Sequence, residues 1–160
     1  MMPSITAIVH TSNDGLRLGR LLETLYPCDD IVIVDNESAD GTLTVARDYG
    51  ATIVGAKPGA PPAGYLAPQS SGWILCLDAR EALTESLAAS LFEWKSEADS
   101  SSGTPFSVFL REETAEGWVE HPSAQTRLVP ATWNHWAGRF PTPEASAVSL
   151  EGDLLRFAFP

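Results

Sequence analysis

The chain has 160 residues, 44% of them apolar, with 21 acidic against 10 basic side chains and a formal net charge of -11. That length fits one domain with a real core, since domains commonly run to about 100–150 residues. The acidity argues against nucleic acid and anionic lipid as broad-surface partners, and no run approaches the roughly 20 apolar residues that cross a bilayer.

In chain order, residues 5–9 are a short apolar run suited to a strand covered on both faces. Asp14 can cap the helix that follows, whose apolar side is Leu16, Leu18, Leu21, Leu22 and Leu25, and Pro27 stops it. Residues 31–34 make a second strand. Asp40 and Gly41 lead into a second helix carrying Leu43, Ala46 and Tyr49, with Gly50 as its C-cap and a third strand at 51–54. Strand, helix, strand, helix, strand is the pattern of a parallel sheet.

Residues 57–64, K-P-G-A-P-P-A-G, must be a loop. Residues 73–77 form the next strand and end in Asp78; Thr84 then caps a helix with Leu87, Leu91 and Trp94 on one side. A polar, Ser-rich connection at 97–104 leads to strand-like pieces at 106–110, 117–120, 125–129, 145–150 and 154–159, read as antiparallel additions. The chain does not open with a basic region followed by an apolar stretch, so a cytoplasmic location is expected. Cys28 and Cys76 show no metal spacing and read as reduced thiols before a disulfide.

Two stretches carry most information. Residues 5–14 read I-T-A-I-V-H-T-S-N-D, and residues 30–42 read D-I-V-I-V-D-N-E-S-A-D-G-T. Each is an apolar strand delivering polar groups to its carboxyl end, where open α/β sheets bind ligands. Thr11, Ser12, Asn13 and Asp14, with Val34, Asp35, Ser38, Asp40, Gly41 and Thr42, resemble family 2 glycosyltransferases of the GT-A fold. The short bacterial branch involved in lipopolysaccharide-core and related envelope glycans is the closest likeness.

The resemblance implies one GT-A-like α/β domain over residues 1–160, a mainly parallel sheet flanked by helices with antiparallel strands added in the C-terminal half. It implies hexose transfer from a nucleoside-diphosphate sugar, a UDP-sugar first, to a glycan or lipid-linked acceptor. The chain would work in the cytoplasm or at the inner face of the membrane. Thr11, Asn13, Asp35 and Asp78 would line the donor pocket, with Asp35 and Asp78 meeting at the rim of one crevice. The rival is a catalytically inactive binding or assembly module that keeps only the fold.

Two roles compete for Asp35. Its carboxylate can accept the N3–H of uracil, a polar pairing that discriminates bases, or it can cap the turn through the Ser38 or Asp40 amides. Asp40 itself reads as the turn-and-cap residue.

The run W-I-L-C-L-D-A-R-E at 73–81 departs from the family. Its relatives end this strand Leu-Asp-Ala-Asp-Glu, the first acid facing the ribose and the second helping to hold a divalent cation, Mg or Mn, against the diphosphate. Here Arg80 stands in place of the second acid. Arg80 can pair with the diphosphate in place of the metal, the site can bind nucleotide without turnover, or Arg80 can merely offset Glu81 and Glu85. Glu81 is left as a weak metal ligand, and no metal site is assigned.

An inverting transfer also needs a base near the acceptor hydroxyl. Relatives carry a His-Glu pair after an Arg-Leu pair, a Trp and a Gly. This chain has Arg127, Leu128, Trp133, Trp136 and Gly138, but then Arg139-Phe140-Pro141-Thr142. Glu144 is the substitute base, or else a solvated loop acid. The donor helix of the relatives falls at 64–71, where Pro68 opposes a helix, and Lys57 is the nearest cation. His10, His121 and His135 show no zinc spacing. His10 either borders the pocket or is structural, and the aromatics around His135 either stack on a sugar or pack in the core.

Overall fold

Apolar runs buried on both faces build the parallel half of a large sheet in the computed structural model, which describes residues 3–66, 72–97 and 103–160. Its strands are β1 (Ile5–Thr11), β2 (Asp30–Asp35), β3 (Thr52–Gly55) and β4 (Trp73–Asp78), side by side in the order β3-β2-β1-β4. α1 (Leu18–Leu22) joins β1 to β2, and α2 (Thr42–Asp48) joins β2 to β3. After β4 come the short β5 (Glu81–Leu83) and α3 (Glu85–Glu97), where the Thr84 hydroxyl accepts the Leu87 amide as an N-cap.

Side chains alternate across these strands. Val9, Ile33, Leu75 and Leu77 pack against the three helices, while Ile8, Val34, Ile74 and Cys76 form a smaller cluster on the other face. Burial of a Leu-sized side chain stabilises by about 1.5–3 kcal/mol, and Leu18, Leu21, Leu22 and Leu25 all contribute. Leu16 does not. It precedes the first helical turn, so the helical period does not carry it inward, and it is 87% exposed. Asp14 receives the helix through its backbone carbonyl, while its carboxylate accepts the Ser12 amide.

The second half adds β6 (Phe106–Thr114), β7 (Gly117–Glu120), β8 (Gln125–Pro130), β9 (Trp136–Ala137), β10 (Phe140–Pro141) and β11 (Val148–Arg156). The main sheet runs β3-β2-β1-β4-β8-β6-β11-β5, with β7 hairpinned onto β6. β8 is antiparallel to both β4 and β6, as expected. β11 is instead parallel to β6, and it is one bulged strand where two pieces were read. The segment 131–147 runs from the end of β8 to the start of β6 before β11 begins, which reverses the strand's sense. Gly152 sits in the bulge at φ +95, and a Cβ there would lie 2.3 Å from the Leu87 amide nitrogen.

The helices lie on one face of the parallel half among the described residues. The other is covered by a 3-10 turn at Pro62–Tyr65, within the stretch read as pure loop, and by Trp133, Trp136 and Phe140. The expectation of flanking helices therefore holds for one face. The Pro68 argument concerns residues 67–71, which lie outside the described residues, as do 98–102 of the polar connection. No helix among the described residues is long and apolar enough to cross a membrane. Cys28 and Cys76 are free, and burial pushes the Cys76 thiol up to about 12.

Candidate functional site

Parallel pairing sets the ends of β1, β2 and β4 side by side, with Thr11 opposite Asp35 and His10 opposite Asp78. His10 and Thr11 are consecutive, so they and their partners leave the sheet on opposite faces. Asp35 therefore emerges on the helical side and Asp78 on the other. The two carboxylates do not frame a pocket from one side, contrary to the expectation of a shared rim.

Asp35 is 8% exposed, and its oxygens are engaged. It accepts the Thr11 hydroxyl at 2.7 Å and the Ser38 hydroxyl at 2.5 Å on Oδ1, and the Ser38 amide at 3.0 Å on Oδ2. Burial pushes its carboxyl up, but these hydrogen bonds outweigh that and hold it below the usual range. Asn13, at φ +56, accepts the Ala39 amide and donates its own amide to Ser38 Oγ. Asp40 accepts the Gly15 and Thr42 amides and the Thr42 hydroxyl. Together these groups zip the loop after β1 to the loop after β2.

Asp78 lies beside the Arg80 guanidinium, Nε to Oδ1 at 3.0 Å. Burial raises its carboxyl, yet the Arg80 hydrogen bonds prevail and leave it below the usual range. Arg80 keeps 44% of its side chain exposed at this edge. Glu81 turns inward. It is fully buried, paired with Arg127 and Arg156, and accepts the Asp78 amide at 2.7 Å. It is not available to metal or substrate. Glu144 accepts the amide and hydroxyl of Ser146 and so closes its own turn.

A crevice opens beside His10, whose strand partner is Asp78. Two cavities of about 270 and 420 Å³ meet there, sharing His10, Ala56, Lys57 and Arg139. Thr11 and Asn36 wall one; Tyr65 and Trp136 wall the other. No acidic side chain lines either. Among the described residues, Lys57 and Arg139 have no ion-pair partner within 4.0 Å, although acids outnumber bases twofold. His10 is pushed down to about 4, by burial first and then by Arg139, with Asp78 pulling the other way. That coupling puts His10, Arg139 and Asp78 in one neighbourhood.

Asn36 and Arg139 line this crevice although sequence reasoning gave them no role in a site, and Lys57, read there only as the cation nearest the donor-helix stretch, lines it too. Arg139 arrives on the short β9–β10 hairpin, where Gly138 turns at φ +66. Its only signal in the sequence is a cation standing where relatives have a His-Glu pair. Trp136 lines the crevice while also packing on the core cluster.

Known proteins can now be set beside this geometry. No protein-family profile matches the chain. A mannosyl-3-phosphoglycerate synthase of Rubrobacter xylanophilus superposes with a TM-score of 0.50 at 20% identity, over 71% of this chain and 41% of that one. The fold is that of the GT-A glycosyltransferases. Another GT-A neighbour, a Pyrobaculum calidifontis mannosyltransferase in complex with GDP-mannose and Mn2+, matches at 21% identity and a TM-score of 0.49, over 69% of this chain and 35% of its own. In sequence, an uncharacterised glycosyltransferase of Rickettsia felis is 32% identical over 94 residues, 54% of this chain and 32% of the relative. The match thus spans about a third of that relative's length. The chain thus shares the GT-A fold and, over part of its length, sequence with an uncharacterised glycosyltransferase.

Proposed function

We propose that residues 1–160 act as one nucleotide-sugar-binding domain and that the crevice beside His10 takes the diphosphate of an activated hexose, a UDP-sugar first. The chain would then serve transfer of that hexose to a glycan or lipid-linked acceptor. One observation carries the reading: two cations without ion-pair partners, Lys57 and Arg139, line an acid-free crevice on a chain of charge -11. An anion is the ligand class that such a place attracts, and a guanidinium meets phosphate oxygens in a fork geometry. The envelope-glycan acceptor rests on the resemblance carried by Val34 to Thr42. The name of the Rickettsia relative favours a transferase over an inactive module.

A divalent cation belongs to the family pattern, but the side chains here do not fit one. Asp78 is paired with Arg80, Glu81 is consumed by two arginines, and among the described residues no group of three His, Cys, Asp or Glu side chains gathers. In this reading the leaving diphosphate is met instead by Arg80, swinging from Asp78, with Lys57 and Arg139 opposite. Asp35, Thr11 and Asn13 act by holding the two loops that shape the nucleoside side.

Calorimetry with UDP, GDP and their glucose and mannose esters, with and without manganese, tests the proposal. Metal-independent binding that weakens in Lys57→Ala and Arg139→Ala is the expected result. Silence toward every nucleotide would overturn it.

A further inference from the structure

The strap that presents Arg139 to the crevice walls a second cavity, of about 530 Å³, with the next residue, Phe140. Its other walls include Pro141, Pro143, Gln125 and His121. Arg127 lies at its floor under the Phe140 ring, 4.1 Å from the ring centroid, and that guanidinium is already spent on Glu81, Gln125 and the Cys76 carbonyl. The cavity therefore offers apolar surface and a few polar groups, without a free cation.

At its side His121 Nε2 lies 3.1 Å from Glu112 Oε1. This pair is assembled from β6 and the turn after β7. Glu112 is steadied from behind by Arg156, 3.7 Å away, which also bonds Glu81. The Arg111–Glu120 pair is the other charged couple on this hairpin. Arg156 links the two sites, lying 3.7 Å from Glu112 and bonding Glu81, which accepts the Asp78 amide. A histidine whose Nε2–H is donated to a carboxylate keeps a lone pair on Nδ1, the arrangement of an oriented general base.

We infer that this second cavity is the acceptor site, that the acceptor is an uncharged hydroxyl compound with an apolar face, and that His121 oriented by Glu112 is the general base absent from residues 139–142. The inference rests on the donor reading above. Arg127, the guanidinium lining the cavity, is already paired with Glu81 and does not offset the desolvation of an anionic acceptor, whereas Phe140 and the prolines suit an apolar body. In the step, the acceptor O–H gives its proton to His121 Nδ1 as its oxygen bonds the anomeric carbon. The bond from that carbon to the phosphate oxygen breaks, its electron pair leaves with the nucleoside diphosphate, and Arg80 meets the new charge. The imidazolium then returns its proton to water. Glu112 is a positioning residue.

The test uses the full chain with two probes, UDP and octyl β-D-glucoside below its micelle concentration, read on the imidazole resonances of His10, His121 and His135. UDP should move His10 and leave His121 in place. The glucoside should move His121 and leave His10, with the His121 nitrogens reporting a proton on Nε2. A glucoside that leaves His121 unmoved overturns the inference whatever UDP does, and so does a proton on Nδ1. If UDP leaves His10 unmoved while the glucoside shifts His121, the donor reading falls and the acceptor cavity stands supported. With labelled UDP-glucose, His121→Gln should lower transfer to the glucoside by about 10²–10⁴-fold while UDP still binds. Glu112→Gln should lower kcat with donor KM kept, and Glu112→Asp should recover part of the loss. Transfer by His121→Gln at the parental rate overturns the base assignment.

Discussion

Arg127 meets Glu81 end on, its Nη1 and Nη2 against the two carboxylate oxygens at 2.8 Å each, and neither side chain is exposed. The pair ties β8 to the start of β5, and Glu81 passes the restraint to Asp78 by accepting its amide. A buried charge is tolerated only while paired. Arg127→Ala should therefore destabilise the fold by about 3–5 kcal/mol, read as a drop in the urea midpoint. Glu81→Gln keeps the shape but leaves the Arg127 guanidinium buried without its counter-charge, so it should cost a comparable amount. A loss under about 1 kcal/mol for Arg127→Ala would contradict a structural role of this size.

Arg80 rests on Asp78 at the place where the family resemblance implies an acid, so its replacement should change how nucleotide binding responds to metal. Arg80→Ala should weaken metal-free UDP binding about tenfold, the loss of one charge-assisted contact. Arg80→Asp restores a second acid and should make UDP binding depend on manganese. Calorimetry at matched ionic strength reads both. Equal affinity of the parent and Arg80→Ala would remove Arg80 from the donor site.

His10 supplies a pH signature. Its folded value lies near 4 against an ordinary 6.5, so between those values the unfolded chain binds more protons than the folded one. Stability from this group is present above pH 6.5 and is lost as pH falls toward 4. Asp35 and Asp78 are also depressed, and their contribution is lost at lower pH, below the ordinary carboxylate value of 3.8. Chemical denaturation from pH 7 to 4 should show a slope that flattens in His10→Gln. An unchanged slope would rule out a half-buried, neutral His10.

Gly152 tests the packing of α3 on β11. At φ +95 with its missing Cβ 2.3 Å from the Leu87 amide nitrogen, Gly152→Ala should cost about 1–3 kcal/mol in backbone strain alone, plus displacement of α3. Thermal unfolding measures it. A melting temperature equal to the parent's would mean that the bulge relaxes freely.

Much of the fold was legible locally. The runs at 5–9, 31–34, 51–54 and 73–77 coincide with β1 to β4, and Thr84 caps α3, because apolar continuity and capping chemistry act over a few residues. Leu16 was misplaced since periodicity alone does not mark the first helical turn. β5 was missed because Glu81 read as the tail of a motif, and a three-residue strand exists only where β11 is there to pair with it.

The candidate site divides along the same line. The amino-acid order alone determined that acids and amides crowd the ends of β1, β2 and β4, and that Arg80 breaks the family pattern, since strand ends are local features. Only the tertiary structure decided where those groups point. A register that sets His10 opposite Asp78 and Thr11 opposite Asp35 sends the two carboxylates to opposite faces. It likewise brought Lys57 and Arg139 to one crevice, and His121 to Glu112, because such meetings depend on strand pairing and loop paths between residues far apart in the chain.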